Sequence, residues 1–135
     1  MCNTYEEIEH TADIAIRVHA VSFQELVHQA ALGMLYFMNI QVADRVLDEE
    51  LRLTVSYVSR EDILVQALNE MLFQLETGEL VFLPDHIDMA ENEATVHYTG
   101  CAWEEDFSEI KAVTYHQMEI TEDFQGLHCM VVFDV

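Results

Sequence analysis

Ile14-Ala15-Ile16-Arg17-Val18-His19-Ala20-Val21-Ser22-Phe23-Gln24-Glu25 changes its hydrophobic period halfway, and that change decides the fold class. From Ile14 to Ala20 branched residues stand at every second position, the period of a half-buried strand. Ile14, Ile16 and Val18 are expected to face the core, and Arg17 and His19 the solvent. Ser22-Phe23-Gln24-Glu25 then reads as a capping box: the Ser hydroxyl can accept an N-terminal N–H, and the Glu three residues on can reach back. Behind it Phe23, Leu26, Val27, Ala30, Ala31, Met34, Leu35 and Met38 follow at spacings of three and one. That is one apolar face of a helix from about Ser22 to Asn39.

The same succession returns downstream. Leu51 to Val58 alternates as a strand. Ser59-Arg60-Glu61-Asp62 is a second cap, expected to be weaker because Asp is shorter than Glu. Ile63, Leu64, Ala67, Leu68, Met71, Leu72 and Leu75 repeat the helical face. That helix should end near Gly78, a natural C′ residue. An internal duplication would give this repeat, and so would any two amphipathic helices. Met34, Met38 and Met71 fall on the apolar faces and should belong to the core.

Around these units the chain reads mainly as strand. Tyr5 to Glu9 is a short edge strand. His10-Thr11-Ala12-Asp13 is a polar corner, and Gln41 to Glu50 a loop or a frayed end. Leu80 to Leu83 either ends at Pro84 or lies at a sheet edge. Glu93 to Trp103 is a strand after a turn at Glu91-Asn92, and Ser108 to Ile120 reads as another. Phe124-Gln125-Gly126 is a turn, and Leu127 to Asp134 a final strand whose run Met130 to Phe133 suggests burial on both faces. The expected class is α+β, a mostly antiparallel sheet packed with two amphipathic helices, in one domain over residues 1–135.

Composition narrows the function. The 135 residues include 26 acidic and five basic side chains, for a net charge of −21. Phosphate-binding proteins need clustered Lys and Arg. Here Arg17, Arg45, Arg52, Arg60 and Lys111 are scattered, so direct stable nucleic-acid binding is not expected. Basic protein surfaces and divalent cations are the natural partners of such charge, although a heavily solvated surface would also account for it. No apolar run is long enough for a membrane helix. The first residues lack a secretion signal, and Cys2, Cys101 and Cys129 show no CxxC spacing. Reduced thiols and a cytoplasmic location are expected. No two of the seven His and three Cys fall at structural-zinc spacing, and no P-loop, HExxH or GxSxG is present.

Two carboxylates and one lysine remain as candidates. Asp13 sits before an apolar strand beside His10 and Thr11; a turn bonding its own backbone is the plainer use of such residues. Asp134 closes an apolar strand, where an unpaired carboxylate would be costly, and Val135 adds a terminal carboxylate if the native chain ends there. Carboxyl groups brought together repel unless a cation compensates, and oxygen-only ligands suit Ca²⁺ or Mg²⁺ rather than Zn²⁺. Periodicity does not say whether Asp13 and Asp134 meet. Lys111, the chain's one lysine, either satisfies nearby carboxylates or contacts a phosphate, nucleotide or partner.

Three runs carry a family resemblance: His10-Thr11-Ala12-Asp13-Ile14, Glu109-Ile110-Lys111-Ala112-Val113-Thr114-Tyr115-His116, and Val132-Phe133-Asp134-Val135. Together with Asp62-Ile63-Leu64-Val65-Gln66-Ala67-Leu68-Asn69-Glu70 they resemble the archease family, in order and over essentially the whole chain. The resemblance implies two intergrown strand-helix-strand-strand modules. It implies a non-catalytic protein cofactor of an RtcB-type RNA ligase in tRNA splicing and RNA repair, one that promotes guanylylation of the ligase histidine and multiple turnover. It implies a divalent-cation site at Asp13, Asp134 and the main chain of Val135, with Ca²⁺ first and Mg²⁺ or Mn²⁺ as alternatives. Lys111 matches the functional lysine, with His116 orienting or packing its strand. The segment Gly100 to Ser108 looks shorter than the family's usual loop, and Cys101-Ala102-Trp103 replaces its polarity. A general chaperone or folding modulator, and a metal-dependent hydrolase using Asp13 and Asp134, are the rival functions.

Overall fold

The computed structural model describes residues 3–9, 14–78, 80–104 and 110–135. The elements run β1 (Thr4–Glu9), β2 (Ile14–Ala20), α1 (Phe23–Phe37), β3 (Gln41–Ser56), α2 (Arg60–Thr77), β4 (Val81–Met89), β5 (Glu93–Glu104), β6 (Ala112–Thr114), β7 (Thr121–Asp123) and β8 (Gly126–Asp134). The class is α+β, and every strand pair is antiparallel.

Two sheets share one plan. The first has the order β1-β2-β8-β6, with β7 also on β8, and the second the order β3-β5-β4. Each sheet takes a strand, sends the chain through a helix, and receives two more strands, the last of which lies in the middle. In the first these are β2, α1, β6 and β8; in the second, β3, α2, β4 and β5. The second set is inserted between α1 and β6, so the two are intergrown. β6 and β7 occupy successive stretches of the β8 edge that β2 leaves free.

The helices fill the centre. Leu26, Val27, Ala30, Ala31 and Met34 of α1, and Ile63, Leu64, Ala67 and Leu68 of α2, are wholly buried. Met38 and Met71 join them, as their place on the apolar faces predicted. Tyr98, buried on β5, donates its hydroxyl to the Ala67 carbonyl at 2.7 Å. Burial, with the charge of Glu70 adding to it, pushes its ionisation far above the ordinary tyrosine range.

The helix ends differ from the sequence reading in instructive ways. At α1 the Glu25 N–H donates to the Ser22 hydroxyl at 3.2 Å, while the Glu25 carboxylate accepts from the Asn3 amide instead of reaching back. At α2 the Asp62 carboxylate accepts the N–H groups of both Val58 and Ser59, at 2.8 and 3.1 Å. The shorter acid therefore makes the fuller cap. α1 ends in a Schellman arrangement, with Ile40 N–H on Leu35 O, Asn39 N–H on Tyr36 O, and Asn39 in the left-handed region at φ 59°. Gly78 ends α2 in an extended conformation instead.

Two further expectations are corrected, and one pair of alternatives is decided. Residues 41–50 are neither a loop nor a frayed end: they begin β3, a long edge strand whose register with β5 shifts between Val42 and Val46 and again between Val46 and Glu50. Each irregularity resets the alternation, so the strand has no readable period there. Its exposed acids also discourage pairing with a further strand. Of the two alternatives for Pro84, the sheet edge holds: it lies within β4, an edge strand, just before a register shift. His19 is not at the solvent face: it is 9% exposed, because the β7–β8 turn lies over it and the Gln125 carbonyl sits 2.9 Å from its Nε2. The last strand behaves as expected, with Val131, Val132 and Phe133 consecutively buried.

Candidate functional site

β8 sets the site because it emerges from the core at its C-terminal end. Phe133 is wholly buried; Asp134 and Val135, the next two residues, are exposed. On one side Phe133 stands opposite Ile14, the first residue of β2. On the other, Asp134 stands opposite Ala112, and the Lys111 N–H donates to the Asp134 carbonyl at 2.8 Å. The lysine and Asp134 therefore sit on adjacent chains at one end of the first sheet. Lys111 is exposed, held between buried Ile110 and Val113.

The strand expected over 108–120 is much shorter. β6 covers only Ala112–Thr114, and the chain then turns away through Gln117 at φ 56°. The reason is local bonding. The Thr114 hydroxyl takes the His116 N–H, the Tyr115 hydroxyl donates to Asp62, and Glu61 accepts the Ile120 N–H. The acids of the first turn of α2 thus draw the segment off the sheet. His116 lies exposed in this turn, outside the strand it was expected to orient.

A residue that the sequence reading did not single out for this site holds β6 in place. Asn69 of α2 accepts the Val113 N–H at 2.8 Å and donates to the Val113 carbonyl at 3.1 Å. Its side chain takes the place that a further strand would fill. Its presence in the run Asp62 to Glu70 was the only hint.

Among the described residues, no group of three or more His, Cys, Asp or Glu side chains is placed to hold a metal ion. Asp13, with His10, Thr11 and Ala12, lies outside the described residues. The Asp134 carboxylate has no hydrogen-bond or ion-pair partner among the described residues. With the main-chain oxygen of Val135 it offers only oxygen donors, which fits a hard cation and not zinc. Gly100 to Glu104, expected in a shortened loop, belong to β5, and residues 105–109 lie outside the described set. Cys101 and Cys129 are free thiols. No described helix is long and apolar enough to cross a membrane.

Fold and site together define an α+β protein of two interleaved three-stranded plans, with a lysine and a carboxylate at one sheet end. The model of the Archease protein family (MTH1598/TM1083) matches residues 5–135. Protein archease of Methanosarcina barkeri is 31% identical over 142 residues, covering 97% of this chain and 95% of that one. Protein archease of Thermotoga maritima is 33% identical, covering 94% and 96%. A crystal structure from Thermotoga maritima, described as an archease and possible chaperone, superposes with a TM-score of 0.66 at 30% identity, covering 95% of this chain and 94% of that one. The solution structure of Methanobacterium thermoautotrophicum protein 1598 gives 0.74 at 26% identity, covering 97% and 98%. The chain belongs to the archease family.

Proposed function

We propose that this protein is a non-catalytic activator of an RtcB-type RNA ligase, acting in the cytoplasm in tRNA splicing and RNA repair. It promotes guanylylation of the ligase histidine and repeated turnover. Family membership supports the reading. The observation that carries it is the Lys111–Asp134 main-chain bond, which brings the chain's one lysine and an exposed aspartate to the same end of the first sheet. Lys111 extends a mobile point charge toward nucleotide phosphates or a ligase side chain. Asp13, Asp134 and the Val135 main chain hold a divalent cation, Ca²⁺ first and Mg²⁺ or Mn²⁺ as alternatives. When bound, that cation offsets carboxylate repulsion and adds positive charge to the tip.

The net charge of −21 suits this role. A ligase that handles RNA and GTP needs a basic mouth, and an acidic protein can enter it without competing for RNA. The test is guanylylation and multiple-turnover ligation by the cognate ligase, with and without this protein. Lys111→Ala and Asp13→Ala proteins are expected to fold yet leave the ligase at its unassisted rate; full stimulation by both would refute the reading. A second reading, a general folding modulator, draws on the description of the Thermotoga structure and on exposed Val58 and Phe124. Suppression of the aggregation of unrelated proteins would favour it.

A further inference from the structure

We propose that a groove beside Lys111 is a docking site for a protein segment carrying an apolar side chain next to a basic one. The groove, about 510 Å³ in volume, lies between the ends of the two helices and the chain entering β6. Its floor is apolar: Met38, Leu72, Leu75 and Ile110 line it and are 2–8% exposed. Asn69 also lines it, but both ends of its amide are taken by Val113, so it makes no demand on an occupant. Volume and lining match those of sites that bury a side chain or small ligand.

The rim determines what enters. Phe73 is 55% exposed there, a large apolar surface that the core does not use. Glu76 and Lys111 are exposed at the same rim, on different elements, and neither side chain has a partner among the described residues. A chain with net charge −21 repels acidic segments and attracts basic ones. Glu76 is the carboxylate that meets the basic residue. Lys111, on the segment entering β6, repels that basic residue, so the segment is favoured in the orientation that sets it on Glu76 of α2. The apolar side chain beside the basic one covers Phe73 and fills the floor.

The proposal rests on the ligase reading in one respect: the cognate RtcB-type ligase is the partner used to test it. The dissociation constant of the intact protein for that ligase is measured by calorimetry. Phe73→Asp and Glu76→Lys are expected to weaken binding about tenfold or more, with circular dichroism and melting unchanged. Phe73→Ala, milder in its effect on folding, should weaken binding less. Phe124→Asp, at the opposite end of β8 and 97% exposed, should bind as the parent does. If the parent binds and the groove variants bind equally well, the groove is not the docking site and the ligase reading stands. If the Phe124 variant loses as much as the groove variants, the site is likewise refuted. If the parent does not bind the ligase at all, both readings fall.

Discussion

Asn69 and Val113 exchange two hydrogen bonds, the amide of a helix side chain closing the free edge of a three-residue strand. So short a strand has little ladder of its own, and the residue just before it is Lys111. Asn69→Ala would leave the N–H and carbonyl of buried Val113 unpaired, a loss of about 1–3 kcal/mol. Urea denaturation should show that loss. Ligase stimulation should fall further than stability does, because Lys111 is no longer held. Asn69→Asp keeps the acceptor and should lie between the two.

The Asp62 carboxyl is held below its ordinary range, chiefly by the Val58 N–H and then by that of Ser59; its bond from Tyr115 adds a smaller effect. A depressed folded-state value means that the stabilisation is present above the unfolded value, about 3.9, and is lost as pH falls through the folded one. Asp62→Asn should cost about 0.5–2 kcal/mol at neutral pH, the usual worth of a cap. The difference from the parent should shrink below about pH 4. Denaturant midpoints measured from pH 7 down to pH 3 check both.

Burial, reinforced by the charge of Glu61, pushes the Cys129 thiol up to about 12. Burial also raises Cys101, with Asp85 contributing. The thiolate is the nucleophile, so iodoacetamide at pH 8 should leave Cys129 unmodified in the folded protein. It should alkylate Cys129 rapidly in denaturing urea. Peptide mass analysis distinguishes the two; rapid native alkylation would contradict the burial.

Gly126 turns β7 into β8 at φ 126°, and a Cβ there would lie 2.5 Å from the Ala20 carbonyl oxygen. Both the torsion and the contact oppose any side chain. Gly126→Ala should destabilise the protein by about 1–3 kcal/mol, read from urea unfolding. It should also loosen the turn that holds Gln125 against His19, which the His19 ring resonances would report.

If Asp134 helps to hold a cation, the parent protein should melt at a higher temperature in Ca²⁺ than in chelator. A cation at a hundred times its dissociation constant adds about 2.7 kcal/mol. Asp134→Asn should abolish that dependence. In chelator its stability should match the parent's within about 0.5 kcal/mol, since the side chain is exposed.

The amino-acid sequence by itself determined the two helices, the α+β class and most strands, because each rests on a local period or a cap. The α1 face from Phe23 to Met38 and the strand from Leu127 to Asp134 needed nothing beyond neighbours along the chain. It also determined which residues to suspect, Asp13, Lys111, Asp134 and Val135, through motif resemblance. Tertiary structure alone decided the rest. β3 carries acids through two register shifts, and only β5 beside it makes it a strand. His19 looked solvent-facing until the β7–β8 turn, more than a hundred residues away, covered it. Lys111 and Asp134 became neighbours because β6 pairs with β8, and β6 is held there by Asn69 from a different module. Periods along a chain record which face of an element is buried; they carry no information about which distant strand supplies the missing hydrogen bonds.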